Sequence, residues 1–186
     1  MTSGAALATA ASLLGTRLDA ELLLAHVLNV SRSNVIARDE RILTPEEQGD
    51  FEMLLARRKA GEPLAYLTGT KEFWSLELEV SKDVLVPRPE TELLVEWALE
   101  VLSSRRKPGP SVLDIGTGSG AIALAIAKEL ADATVVGTDL STAALRVAEA
   151  NARTWRIGNV RFGAGDLFKT LGPDVRRGDE VGVLGV

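Results

Sequence analysis

The sequence predicts an α/β fold in which a small helical domain precedes a β-hairpin and a parallel sheet. Three observations carry that prediction. Apolar residues recur at helical spacing over the N-terminal third, strict alternation follows from Leu76 to Val80, and from Ser111 short apolar runs alternate with amphipathic stretches. Strands that alternate with helices are joined by crossovers and therefore lie parallel. The expected division is residues 1–70 as the helical domain, 71–90 as the hairpin and a Pro-Arg-Pro linker, and 91–186 as the sheet-bearing domain.

The run from Ala5 to Leu14 reads as the first helix. No basic residue precedes it, and it falls short of the ~20 apolar residues a spanning helix needs, so neither a signal peptide nor a membrane span is expected. Leu14, Leu18, Leu22, Leu24, Ala25 and Leu28 continue the helical spacing and predict a buried face. The next helix is marked by its ends. Thr44 caps it, Pro45 suits its first position and Glu47 completes a capping box. Phe51, Leu54 and Leu55 supply its apolar side, Arg57, Arg58 and Lys59 complement its C-terminal dipole, and Gly61 closes it.

Leu76, Leu78 and Val80 alternate with Glu77 and Glu79, the period of a half-exposed strand, and Val84 to Val86 reads as a second strand stopped by Pro87. Pro87 and Pro89 stiffen the loop around Arg88. A helix is expected from near Glu90, presenting Leu93, Leu94, Trp97 and Val101, before a polar connection from Ser103 to Pro110. Val112 to Ile115, Thr134 to Thr138 and Val160 to Phe162 then read as strands. Ala121 to Leu130 and a Ser141-capped segment ending near Arg153 read as the helices between them.

Composition narrows the function. With 46% hydrophobic and 25% charged residues the chain has the balance of a globular protein. A formal net charge of −5 argues against direct binding to a nucleic acid backbone, which draws its affinity from clustered Lys and Arg. The 186 residues contain no cysteine, which removes disulfides, thiolate metal sites and thiol nucleophiles and fits a cytoplasmic setting. His26, the one histidine, sits in an apolar helix and makes no case for a metal site. Trp74, Trp97 and Trp155 read as core fillers, and Arg57–Lys59 and Arg105–Lys107 as solvated helix ends.

The stretch that carries chemistry is Asp114-Ile115-Gly116-Thr117-Gly118-Ser119-Gly120, between a strand and a helix. Glycines there permit a tight turn and a close ligand approach, and the following helix aims its N-terminal amides at the ligand. Asp139 ends the next strand about 20 residues on, where an acid commonly holds ribose hydroxyls. A dinucleotide or S-adenosylmethionine would each suit such a turn. Asp114 favours the second, because a pyrophosphate brought to the turn would meet a carboxylate, whereas the methyl donor carries an ammonium and a sulfonium. Asp166, in Gly165-Asp166-Leu167 after the third strand, suits either an adenine contact or a turn cap.

Gly61-Glu62-Pro63-Leu64-Ala65-Tyr66-Leu67-Thr68-Gly69, Phe73, Val86-Pro87-Arg88-Pro89-Glu90-Thr91-Glu92 and the glycine turn, in that order, closely resemble the PrmC/HemK protein-(glutamine-N5) methyltransferases. The resemblance extends to about Leu171. It implies a Rossmann-like class I methyltransferase domain, here its first half, with S-adenosyl-L-methionine as cofactor and a peptide chain release factor as partner. The methyl acceptor would be the glutamine of the Gly-Gly-Gln motif. By the same resemblance Gly116, Gly118 and Gly120 line the methionine part of the cofactor, with Thr117 and Ser119 in the same turn. Asp139 holds the ribose, and Asp166 and Leu167 lie by the adenine. Arg88, Pro89, Glu90 and Thr91 lie near the cofactor and the entering glutamine, and the helical domain grips the release factor. The family's Asn-Pro-Pro-Tyr segment does not occur here, so no catalytic residue is assigned. The strand that precedes that segment is expected to be missing, the last dozen residues foreign to the family, and transfer impaired. A methyltransferase for another acceptor, such as an adenine amino group, and a non-catalytic cofactor- or release-factor-binding module remain alternatives.

Overall fold

The structure is a computed structural model that describes residues 1–104, 109–165 and 182–185. It divides into two units, Met1–Gly69 and Thr70–Val186.

The first unit is helical: α1 (Ser3–Leu14), α2 (Arg17–Val27), α3 (Arg32–Ala37), α4 (Pro45–Lys59) and α5 (Leu64–Thr68). Local chemistry sets the helix ends. Thr44 Oγ1 accepts from Glu47 N while the Glu47 carboxylate accepts from Thr44 N, so α4 starts in a full capping box with Pro45 in its first turn. Gly15 and Gly69 end α1 and α5 in the left-handed conformation that glycine adopts without penalty. Leu7, Leu23, Leu24, Phe51 and Leu54 fill the core. Beside it Glu21 is buried and accepts from the guanidinium groups of Arg17 and Arg32, each at 2.8 Å. Those two hydrogen bonds, Arg32's first, hold its carboxyl below the usual carboxylate range.

The buried stripe of α2 is Ala20, Leu23, Leu24 and Ala25, so the predicted face is rotated. Leu18 and His26 are exposed. α3 and α5 have too few residues to show a period, which is why the sequence pattern does not mark them.

In the second unit β1 (Thr70–Phe73) and β2 (Leu76–Glu79) pair antiparallel, Phe73 opposite Leu76. The partner of the alternating strand is therefore the segment before it. Val84–Val86 is not a strand: Val84 N donates to Ser81 O in a turn, and the prolines that follow cannot extend a ladder. The two-residue connection, Trp74 and Ser75, has φ of 51° and 54°, the positive values a tight hairpin turn needs. Three side-chain carboxylates, one from β1 and two from later in the chain, offset that strain. Glu92 Oε1 accepts from Trp74 N at 2.8 Å, Glu72 Oε1 from Ser75 N at 2.7 Å, and Glu129 Oε1 from the Trp74 indole at 2.9 Å.

A 3-10 turn at Pro89–Thr91 leads into α6 (Glu92–Ser104). Then come β3 (Ser111–Ile115), α7 (Ala121–Glu129), β4 (Thr134–Asp139), α8 (Thr142–Trp155), β5 (Val160–Ala164) and β6 (Gly182–Gly185). Four parallel strands lie in the order β5-β4-β3-β6. The chain thus starts the sheet at β3, works outward through β4 and β5, and returns to the other side of β3. The expectation that the strand after β5 is missing is overturned, because Gly182–Gly185 pairs with Val112–Ile115. The free edge of β3 supplies the hydrogen bonds that hold Gly182–Gly185.

α7 is apolar all round and buried from Ala121 to Ala127, as a helix sandwiched between other elements must be. α6 buries Val95 and Ala98, with Leu94, Leu99 and Leu102 packed alongside. Its predicted face was misassigned at two positions: Leu93 is exposed, and so is Trp97, at 56%. A helix with apolar residues at most positions offers more than one stripe, and periodicity does not choose between them. Of the three tryptophans expected in the core, Trp97 and Trp155 are exposed, whereas Trp74 is half-buried and packs against it. Arg105–Lys107 lie outside the described residues. Among the described residues no helix is long and apolar enough to cross a membrane.

Candidate functional site

The site is built where β3 and β4 end side by side. From β3 the chain passes through Gly116, Thr117, Gly118, Ser119 and Gly120 into α7. The three glycines have φ of 74°, 56° and 82°, values that L side chains rarely adopt. At Gly116 an added Cβ would meet nothing within 4 Å, whereas at Gly120 it would press on Ala148, Leu124 and Phe162 at 3.1–3.2 Å. Gly116 therefore leaves open space above the turn, and Gly120 lets α7 start close against α8 and β5.

The end of β4 holds the turn by its backbone. Gly116 N and Thr117 N both donate to Thr138 O, at 2.8 and 2.9 Å. One step on, Asp139 Oδ2 accepts from Gly118 N at 3.0 Å and Asp139 Oδ1 from Ser141 N at 2.8 Å. Both oxygens of this partly exposed carboxylate are fixed, and each keeps a lone pair for a further donor such as a ribose hydroxyl. Gly165 N donates to Asp139 O at 3.2 Å, so the chain leaving β5 returns to the same corner.

Asp114 lies beneath the turn, 2% exposed. Its Oδ2 accepts from Thr117 Oγ1 at 2.6 Å and from Ala123 N, in the first turn of α7, at 3.2 Å. Burial pushes this carboxyl up to about 6, against the lowering effect of those two hydrogen bonds, and the nearby Asp139 charge raises it further. At neutral pH it is mostly ionised and occupies the positive end of α7 from inside. Its role at this distance from solvent is to lock Thr117 and start the helix.

The structure thus brings Gly116, Thr117, Gly118 and Asp139 into one hydrogen-bonded unit, with Ser119 and Gly120 buried behind it. Arg88, Pro89 and Glu90 are exposed and Thr91 half-buried, in a turn closed by Thr91 N donating to Arg88 O at 3.0 Å. Asp166 and Leu167 lie outside the described residues. Glu92, which follows Thr91 in the chain, accepts from Trp74 N in the hairpin turn through Oε1.

Four features of the site have no motif behind them. Asn151 is fully buried on α8, and its Nδ2 donates to Ser119 O at 2.9 Å. Gly137 lets β4 pass under Phe162 and Thr117, where a Cβ would come within 2.6–2.8 Å of both. Leu140, next to Asp139, is 79% exposed. Among the described residues the Thr138 hydroxyl is buried without a hydrogen-bond partner. An apolar residue directly after the strand-end acid was a signal available in the sequence; the other three depend on tertiary packing.

The donor set fits an adenosyl methyl donor: a glycine turn with open space at Gly116, a carboxylate with lone pairs at Asp139, and an exposed apolar side chain beside it. Comparisons with known proteins agree with that geometry. Residues 4–69 match the family described as PrmC N-terminal domain, and residues 106–176 match the family described as methyltransferase domain. Release factor glutamine methyltransferases from Coxiella burnetii and Aliivibrio fischeri are 50% and 48% identical over 155 residues, 83% of this chain but 55% and 54% of theirs. The corresponding protein of Burkholderia pseudomallei is 48% identical over 91% of this chain and 62% of its own length. The chain spans a little over half the length of the curated relatives it matches. Over those shared residues the chain thus carries a PrmC N-terminal domain followed by a methyltransferase domain, in the order that the release factor glutamine methyltransferases it resembles share with it.

Proposed function

We propose that this chain binds S-adenosyl-L-methionine at the Gly116–Gly120 turn and serves N5-methylation of the glutamine in the Gly-Gly-Gln motif of a peptide chain release factor. The observation that carries the donor site is the single hydrogen-bonded unit formed by Asp114, Thr117, Gly118 and Asp139. The acceptor comes from the relatives, whose names specify release factor glutamine.

Bound, the cofactor would supply an electrophilic methyl group on sulfonium. Gly116 and Gly118 would admit its methionine part, whose ammonium is favoured by the carboxylates below and beside the turn. Asp139 would accept from the ribose hydroxyls, and Leu140 would cover an apolar face of the base, removing a costly exposed leucine from water. Asp114, already partnered by Ala123 N, places negative charge at the start of α7, which disfavours a pyrophosphate there and so a dinucleotide.

An amide nitrogen is a weak nucleophile because its lone pair is delocalised into the carbonyl, so placement of the acceptor supplies much of the acceleration. Arg88, Pro89, Glu90 and Thr91 are the residues proposed to meet the entering glutamine, and the helical unit is proposed to hold the release factor. Residues 1–70, 71–90 and 91–186 would then grip, link and bind donor in turn.

Incubation of the full chain with methyl-labelled donor and purified release factor, followed by mass analysis of the Gly-Gly-Gln peptide, tests the activity. A gain of one methyl on that glutamine would support the full reading; methylation of nucleic acid instead would move it to another acceptor. Donor binding without transfer to either would favour a binding module, in keeping with the lack of Asn-Pro-Pro-Tyr in the sequence.

A further inference from the structure

The free edge of the hairpin is bonded by side chains from α8. Glu77 and Glu79 sit two apart on β2, so their backbone groups face the same edge. Trp155 Nε1 donates to Glu77 O at 3.0 Å. Asn151, one helical turn before Trp155 and on the same face of α8, does more. Its Oδ1 accepts from Glu79 N at 2.7 Å and its Nδ2 donates to Glu79 O at 3.0 Å, as a neighbouring strand would. The same Nδ2 donates to Ser119 O in the glycine turn at 2.9 Å. A buried carboxamide with each of its donors and its acceptor committed fixes all the groups it touches, because leaving any one unpaired away from water is costly.

We propose that Asn151 is a positioning residue that couples the donor-binding turn to the hairpin, so that the two hold or yield together. This rests on the reading of the turn as a methyl-donor site. Through Ser119 the residue sets the path of the turn between Gly118, which bonds Asp139, and Gly120, which starts α7. Through Glu79 it sets the position of the strand that runs into Val80 and on toward the Arg88–Thr91 turn. Trp155 anchors the same strand without touching the glycine turn, which makes it the natural control.

The test uses the full chain and three variants. Asn151→Asp keeps the acceptor for Glu79 N and sets a carboxylate oxygen against two carbonyls; Asn151→Ala removes the donors without adding charge. Trp155→Phe removes the bond to Glu77 O and keeps an aromatic ring beneath Lys128. Hydrogen exchange without ligand and calorimetric titration with S-adenosylhomocysteine are read on each, at a temperature where all are folded. Both Asn151 variants should lose protection at Glu79–Val80 and at Gly118–Gly120, and bind S-adenosylhomocysteine about tenfold more weakly, the scale of one lost buried hydrogen bond. Trp155→Phe should lose protection in the hairpin alone and keep its affinity within about twofold.

Exchange confined to the hairpin in the Asn151 variants, or an equal effect at the turn from Trp155→Phe, would overturn the coupling. If the unmutated chain binds no S-adenosylhomocysteine while the exchange pattern holds, the donor reading fails and the coupling stands. Should neither Asn151 variant fold, the unmutated chain still decides: ligand binding that leaves the Glu79 amide resonance unmoved contradicts the proposal.

Discussion

Asp114 is a residue whose chemistry departs from its ordinary behaviour. Its carboxyl is raised from near 3.8 to about 6, so the folded chain holds this proton over a range where the unfolded chain has released it. Stability attributable to the group is therefore present at low pH and is lost as pH rises from about 4 to about 6, an effect on the order of 3 kcal/mol at most. Asp114→Asn should flatten that dependence relative to the unmutated chain, because an amide oxygen still accepts from Thr117 without ionising. Urea unfolding of both proteins between pH 4 and 8 measures the difference, and parallel curves would contradict the assignment. Gly137 gives a second prediction at this scale. Gly137→Ala forces a methyl into Phe162 and the Thr117 hydroxyl and should cost about 1–3 kcal/mol in thermal or urea unfolding. Adding Phe162→Leu should recover part of that cost.

At the scale of elements, the hairpin shows how distant residues stabilise a turn that is poor locally. Trp74 and Ser75 both hold left-handed conformations that suit glycine or asparagine better. Ser75→Gly should therefore stabilise the chain slightly, by less than about 1 kcal/mol. Glu92→Ala, which frees the Trp74 amide from its carboxylate, should destabilise by about 1–2 kcal/mol. Thermal unfolding of the pair tests both signs at once. The same element shows what a sequence pattern conveys. Alternation from Leu76 to Val80 identified β2, because one face is buried and the other is glutamate. It could not identify β1, since Thr70-Lys71-Glu72 has no apolar alternation and is held by pairing with β2. Val84–Val86 misled for the opposite reason: three apolar residues look like a strand, but the prolines beyond them leave the segment as a turn and loop. On α6 an abundance of apolar residues hid which stripe faces inward.

At the scale of the molecule, the α/β order and the glycine turn were legible because each rests on local chemistry: glycines where φ is positive, an acid at a strand end, capping residues at helix starts. Asn151 was illegible, since an asparagine in an amphipathic helix reads as a surface residue until the hairpin and the turn are brought against it. The return strand at Gly182–Gly185 was likewise misjudged, because its place depends on the open edge of β3 and has little local signature.

The central claim is that the turn from Gly116 to Gly120, held by Asp139, is a methyl-donor site. Calorimetric titration of the full chain with S-adenosylmethionine, beside Asp139→Ala, tests it most directly. The account predicts one site in the unmutated chain and loss of measurable binding in a variant that remains folded by circular dichroism. A folded, unmutated chain that gives no binding heat, or an Asp139→Ala variant that binds as tightly, would contradict it.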